Sequence, residues 1–177
     1  GLDSVACYLD KIRTFYKEHP DVKFLYGFGW NASFFDFDGP KKELLDQITD
    51  EIPIVLWCEG YHNMWVNSKA LEVTGIRSDT FLDRDDIVRD SSNSPTGTIR
   101  ESTSELIVEE IPDYSVDQCV EGLRHFQTMA GAYGITTVFD ACIYRQEGKL
   151  GFPGDTSMAA YEVMDDKGEL SVRYSIA

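Results

Sequence analysis

The chain has 177 residues, with 16 Lys and Arg against 31 Asp and Glu, a formal net charge of −15. Hydrophobic residues make up 42% and aromatics 12%, which excludes most disordered chains because those lack the apolar surface that offsets chain entropy. The acidity argues against nucleic acid, whose phosphates are met by Lys and Arg, and against an anionic membrane surface.

The length suits one domain, or one plus part of another. No run of about 18 apolar residues offers a membrane span, and Gly1-Leu2-Asp3-Ser4 has neither the basic nor the apolar region of a secretory signal. The four cysteines, Cys7, Cys58, Cys119 and Cys142, form no C-x-x-C pair. Cys58 and Cys142 lie in apolar runs and read as buried thiols. With metal-ligand spacing absent, a reduced, cytoplasmic setting is the default.

Ser4 to His19 reads as an amphipathic helix, with Val5, Leu9, Ile12 and Phe15 at helical spacing, Ser4 as N-cap and Pro20 beyond its end. Val22 to Phe28 reads as a strand. Asn31 to Gly39 is a loop rich in aromatics (Phe34, Phe35, Phe37). Pro40 to Asp50 is a short helix, and Pro53 to Cys58 is an apolar run of the kind covered on both faces. Strand, helix and strand together predict a right-handed βαβ unit. Glu59 to Ser68 is a polar and aromatic stretch past that strand. Ser68 to Thr74 is a short helix stopped by Gly75, with Ser68 as its simplest N-cap. Ile76 to Asp86 is an acidic loop. Ile87–Asp90 and Gly97–Arg100 flank a turn and predict a β-hairpin. Glu101 to Glu110 reads as helix, Ser115 to Tyr133 as a longer helix ended by Gly134, and Ile135 to Ala141 as a β-branched strand. A Gly-rich loop over Tyr144 to Asp155, a helix over Thr156 to Lys167 and a strand over Leu170 to Ala177 complete the chain.

Chemistry concentrates in Glu59 to Asn67, a carboxylate, an imidazole, two amides and a tryptophan just past a strand, where α/β folds bind ligands. His62 and Trp65 either serve a ligand there or pack the turn, and both readings stay open. His19 at a helix end suits the terminal carbonyls. His125 reads as solvent-facing or at the core edge. Asp140, closing a strand, is either a barrel-type functional acid or a turn acid. Arg100 and Glu101 leave the hairpin together. Neighbours on a strand point to opposite faces, so one of them, taken as Glu101, faces a cavity. Gly27-Phe28-Gly29 lacks the third glycine of a nucleotide loop, and neither a G-x-S-x-G elbow nor a Walker loop occurs.

Several segments in order carry a family resemblance: Phe28-Gly29-Trp30-Asn31, Ile52-Pro53-Ile54-Val55-Leu56, Tyr61-His62-Asn63-Met64-Trp65-Val66-Asn67-Ser68-Lys69-Ala70-Leu71, Gly75-Ile76, Arg89-Asp90, Pro95-Thr96-Gly97-Thr98-Ile99-Arg100-Glu101 and Gly134 to Ala141. From about Ser4 to Ala177 the chain resembles the amidohydrolase family 3 branch of the metal-dependent amidohydrolase superfamily, whose members include proteins labelled metal-dependent hydrolase or exoenzyme-regulatory protein. Many members have Asp-Gly-His before the Trp-x-Asn segment, whereas this chain has Glu59-Gly60-Tyr61-His62, leaving open whether Glu59 replaces the aspartate.

The resemblance implies hydrolysis of an amide-type C–N bond, with water activated by a divalent metal, expected to be zinc, inside a (β/α)₈ barrel. The H-x-H of a first strand and the later metal ligands are missing, and a whole barrel needs about 250 residues. The chain therefore reads as an internal part of a larger enzyme, silent alone, with no catalytic or metal-binding residues of its own. The expected fold class is α/β (alternatively α+β). Residues 1–112 would be an inserted cap with a βαβ unit and a β-hairpin, and 113–177 a partial barrel. Trp30, Glu59, His62, Trp65, Asn67 and Glu101 are the expected substrate-binding residues, with Phe34 and Phe35 as further apolar wall. The expected partners are a small-molecule substrate, the rest of the parent chain, and a second copy through open strand edges. Two rivals are a stand-alone binding or regulatory module, and a metal-free hydrolase using His62 with Glu59.

Overall fold

A computed structural model describes residues 4–82, 85–140 and 154–176. The chain divides into two compact units, Gly1–Ile111 and Pro112–Ala177. Both are mixed α/β.

The first unit opens with helix α1, Val5–Glu18. The Ser4 hydroxyl caps it by accepting from the Cys7 N–H, satisfying a donor that a helix N-terminus leaves free. Strand β1 is Leu25–Trp30, three residues later than the β-propensity of Val22 suggests. A short helical turn at Ala32–Phe34 and helix α2, Lys42–Asp46, lead to strand β2, Ile54–Cys58. β1 and β2 pair in parallel, the arrangement a βαβ unit requires.

Strand β3, Asn63–Val66, lies within Glu59 to Ser68, the polar and aromatic stretch to which the sequence reading gives no strand of its own. It pairs antiparallel with β2, Trp65 opposite Leu56. Helix α3, Ser68–Val73, follows. Gly75 (φ 69°) ends it, with the Ile76 N–H bonded to the Leu71 carbonyl and the Gly75 N–H to that of Glu72, the Schellman pattern that favours glycine. Strands β4, Ile87–Arg89, and β5, Pro95–Arg100, form the expected hairpin. β5 also pairs antiparallel with β3. The sheet order is β1-β2-β3-β5-β4, so β1, β2 and β5 all point the same way. A helical turn at Glu101–Thr103 and helix α4, Ser104–Val108, close the unit.

Both faces of this sheet are covered, as the apolar run of β2 requires. One face packs Leu25, Leu56, Cys58 and Trp65 with Tyr8 and Ile12 of α1 and Leu45 of α2. The other packs Val55, Trp57, Met64, Val66 and Ile99 with Leu71, Ile107 and Val108. Gly97 (φ 105°) lets α2 approach β5. A Cβ there would sit 2.6 Å from the Lys42 nitrogen and 2.7 Å from the Val66 carbonyl oxygen.

The second unit begins with helix α5, Val116–Ala132, where Ser115 and Gln118 form a reciprocal capping box. Strand β6 is Thr137–Asp140, helix α6 is Gly154–Asp166 and strand β7 is Arg173–Ile176. β6 and β7 pair in parallel. Val120, Ala160 and Met164 form the centre of its core. Buried Gln127 ties helix to chain: its amide nitrogen donates to the Glu169 carbonyl at 3.1 Å, and its oxygen accepts from Ser171 N at 2.6 Å and Val172 N at 3.3 Å. The Gly-rich loop and Cys142 lie outside the described residues, apart from the first residues of α6.

Candidate functional site

Because β1, β2 and β5 share a direction, their carboxyl ends deliver Asn31, Glu59 and Glu101 to one end of the sheet. β3 starts at that end and places His62 there. The Glu59 N–H donates to the Trp30 carbonyl (3.0 Å), and the Glu101 N–H to the His62 carbonyl (3.0 Å). Two residues along this edge hold left-handed backbone without being glycine, Tyr61 (φ 58°) and Glu101 (φ 45°). Such strained conformations persist where surrounding bonds fix them, and they cluster at functional sites.

The side chains form two pairs. His62 Nδ1 lies 3.3 Å from Glu101 Oε2. An ionised carboxylate only accepts, so Nδ1 carries a proton, and neutral His62 presents Nε2 as an acceptor. Both side chains are largely open to solvent, 71% for His62 and 63% for Glu101. In the second pair, Asn31 Nδ2 donates to Glu59 Oε2 at 3.0 Å. Asn31 Oδ1 accepts from Ser33 N at 2.9 Å, which fixes the amide orientation and aims its nitrogen at Glu59. The Asn31 N–H in turn donates to the Tyr8 hydroxyl at 3.1 Å.

Other residues expected at the site belong to the core. Trp65 is fully buried and its indole N–H donates to the Lys41 carbonyl at 3.0 Å. Trp30 is buried, with its indole N–H on the Leu56 carbonyl at 2.9 Å. Their rings and that of Phe35 meet edge-on. Asn67 is fully buried and makes four hydrogen bonds. Oδ1 accepts from Ile54 N and Ala70 N, and Nδ2 donates to the Thr49 and Ile52 carbonyls. Asn67 rather than Ser68 therefore caps α3. Ser68 bonds Asp46 through both its N–H and its hydroxyl. Arg100 parts from Glu101 and bonds the Phe37 carbonyl. The pairing of His62 with Glu59 needed by a metal-free hydrolase is replaced by His62 with Glu101.

Sequence reasoning passed over Asn31 as a site residue. Its signal is a short polar side chain directly after a strand-ending Trp, a position that caps a turn and faces the sheet end together. It also passed over Tyr61, stacked on Phe28 (6.2 Å between centroids) and tilted against Trp57 (5.9 Å). His19 does meet its helix-end carbonyl, Phe15 O, at 2.9 Å, and His125 is exposed.

In the second unit, Asp140 accepts from the Tyr161 hydroxyl at 3.2 Å. Burial first, then the charge of Asp140, pushes the Tyr161 phenol up from its ordinary pKa. A cleft of about 710 Å³ lies there, lined by Thr136, Tyr161, Asp165, Arg173 and Tyr174 among others.

The whole course of the chain matches one sequence family. The model of the "Amidohydrolase family" covers residues 2–176. The chain belongs to the amidohydrolase family. Its relatives include the exoenzymes regulatory protein AepA of Pectobacterium carotovorum, 24% identical over 98% of this chain and 37% of that protein. YtcJ of Bacillus subtilis, named as an amidohydrolase, is 32% identical over 60% of this chain and 21% of its own length. A metal-dependent hydrolase of Pyrococcus horikoshii aligns with 99% of this chain and 31% of its own, with a TM-score of 0.59 at 17% identity, a likeness of fold. This amidohydrolase chain thus spans well under half the length of these relatives. Among the described residues no three His, Cys, Asp or Glu side chains come together as a metal site, so the metal in the structural neighbour's name does not fit them. Nor is any described helix long and apolar enough to cross a membrane.

Proposed function

We propose that the first unit is the substrate-facing cap of a metal-dependent hydrolase that cleaves amide-type C–N bonds in small, non-peptide molecules. The carrying observation is the convergence of Asn31, Glu59, His62 and Glu101 at the carboxyl end of three co-directional strands. Strand carboxyl ends are where α/β folds take ligands, and open polar side chains held by second partners are suited to orient one. Glu101 sets the His62 tautomer, so Nε2 meets a substrate N–H when neutral and a carbonyl when protonated. Asn31 holds Glu59, which accepts a second N–H.

The residues that bind the metal, zinc by expectation, are assigned outside the described set, and the chain alone is silent. Zinc and a panel of amides, cyclic amides and formamides added to this chain should give no turnover. Metal-dependent hydrolysis by it would overturn the proposal. In the full-length protein, losing a hydrogen bond to a charged group costs about 1.5–3 kcal/mol, so His62→Ala and Glu101→Gln should each lower kcat/KM by about 10- to 100-fold. Unchanged kinetics in both would remove these residues from the site.

The printed name of AepA favours a second reading, a binding or regulatory module. A full-length protein inactive on every C–N substrate with metal present, yet binding one of them, would select it.

A further inference from the structure

We infer that Phe37 is a specificity-determining residue, a fixed apolar wall for an aryl or branched alkyl substituent on the C–N substrate. The inference rests on the reading of Glu59, His62 and Glu101 as the substrate-facing edge.

The loop between β1 and α2 is pinned at both ends and in its middle. Asn31 at its start bonds Glu59 and Tyr8. Phe35 packs on Trp30 and Trp65, each 5.5 Å away between centroids. At its end the Pro40 carbonyl accepts from the Thr98 hydroxyl at 2.8 Å. Between these anchors Phe37 is 87% exposed. Its ring adds almost nothing to the core, so packing gives no reason for a phenylalanine here.

The ring is nevertheless held. The Arg100 guanidinium carbon lies 4.9 Å from its centroid, and the same guanidinium donates to the Phe37 carbonyl. Arg100 immediately precedes Glu101, the partner of His62. The Phe37 ring is thus an apolar surface fixed in advance by the last residue of β5, the strand whose carboxyl end also delivers Glu101, and small-molecule sites combine such apolar surface with a few polar groups. Fixing it beforehand removes an ordering penalty from binding.

The test compares the full-length protein on two substrates with the same scissile bond, phenylacetamide and acetamide, by kcat/KM and by calorimetric affinity. A hydrophobic contact of this size discriminates by about tenfold or more, so Phe37→Ala should lower the phenylacetamide-to-acetamide ratio by about that factor. Arg100→Gln, which frees the ring but keeps it, should lower the ratio less. His62→Ala should lower both substrates alike and leave the ratio in place. An unchanged ratio in Phe37→Ala, by both readouts, overturns the inference, and if His62→Ala still lowers both substrates, the reading of the site survives. If His62→Ala changes neither substrate, that reading fails separately. A Phe37→Ala protein that keeps its ratio but loses self-association in sedimentation would assign the ring to a protein contact and also overturn the inference.

Discussion

The side-chain oxygen of Asn67 accepts a hydrogen bond from the Ile54 backbone N–H at 2.9 Å, joining the cap of α3 to the first residue of β2. With Ala70 N and the Thr49 and Ile52 carbonyls, its two lone pairs and two protons are all used. Asn67→Ala leaves these buried groups unpaired, and an unsatisfied buried group costs about 1–3 kcal/mol. Loss of about 3 kcal/mol or more is expected in urea unfolding. A loss below about 0.5 kcal/mol, the range of an ordinary surface change, would show that the four bonds do not hold the strand.

Gly97→Ala should be destabilising by about 2–4 kcal/mol. It combines a left-handed φ of 105° with a Cβ 2.6 Å from backbone, and backbone cannot swing aside as a side-chain tip can. Gly75→Ala keeps the φ penalty, but no atom lies within 4 Å of its Cβ. It should cost about 1–2 kcal/mol. Equal losses in thermal or urea unfolding would remove the close approach of α2 as the cause.

The His62–Glu101 pair should contribute little to folding. Both side chains face solvent, and exposed pairs are worth about 0–1 kcal/mol. A double-mutant cycle of unfolding free energies should return a coupling under about 1 kcal/mol. A larger value would make the pair a structural device and weaken its assignment to substrate.

Glu169 gives a pH dependence of stability. Its carboxyl pKa is lowered below the ordinary value by hydrogen bonding to Arg124, against a smaller opposing effect of burial. Arg124 Nη2 lies 2.6 Å from Glu169 Oε2. The folded pKa lies below the unfolded one, so the unfolded chain binds more protons as acid is added. The stabilisation is therefore present above the usual glutamate range, about 4.3, and is lost as pH falls through the folded pKa. In Arg124→Gln that acid-sensitive part should vanish, so the stability gap between parent and variant should close on acidification. A gap constant from neutral pH to pH about 3 would refute the linkage.

Self-association through strand edges should appear in sedimentation at high concentration. β1 pairs only with β2 in the described sheet and carries Phe28, 73% exposed. Exposed edges recruit other strands, and lysine blocks them. Phe28→Lys should shift the equilibrium toward monomer, and a parent chain monomeric at every concentration would contradict the expectation.

Much of the fold was legible because hydrophobic period and caps act locally. Ser4, Gly75 and Ser115 mark helix ends that the structure reproduces, and the apolar run at Ile54–Cys58 is covered on both sides. β3 was not legible: Asn63–Val66 is only four residues long, lacks alternation, and follows a polar turn that masks its start. At the site, His62 and Glu101 stood out by residue type, but their pairing joins positions 39 apart in the chain. Trp65 and Asn67 have the same chemistry as site residues and differ only in lying a little further inside the sheet. Nothing in their identity separates a core indole or amide from an exposed one. Phe34, Phe35 and Phe37 are similarly alike in sequence, yet they are placed edge-on to Tyr8, against two tryptophans, and under a guanidinium.

The common direction of β1, β2 and β5 also separates what can vary from what must stay. The turns leaving those three strands open on the same rim, while the two apolar layers lie along the strand bodies. Loop residues tolerate replacement better than packed ones, so Glu59–His62, Glu101 and the exposed Phe37 can be rewritten on this rim while Phe35, packed on Trp30 and Trp65, and the rest of the interior stay untouched.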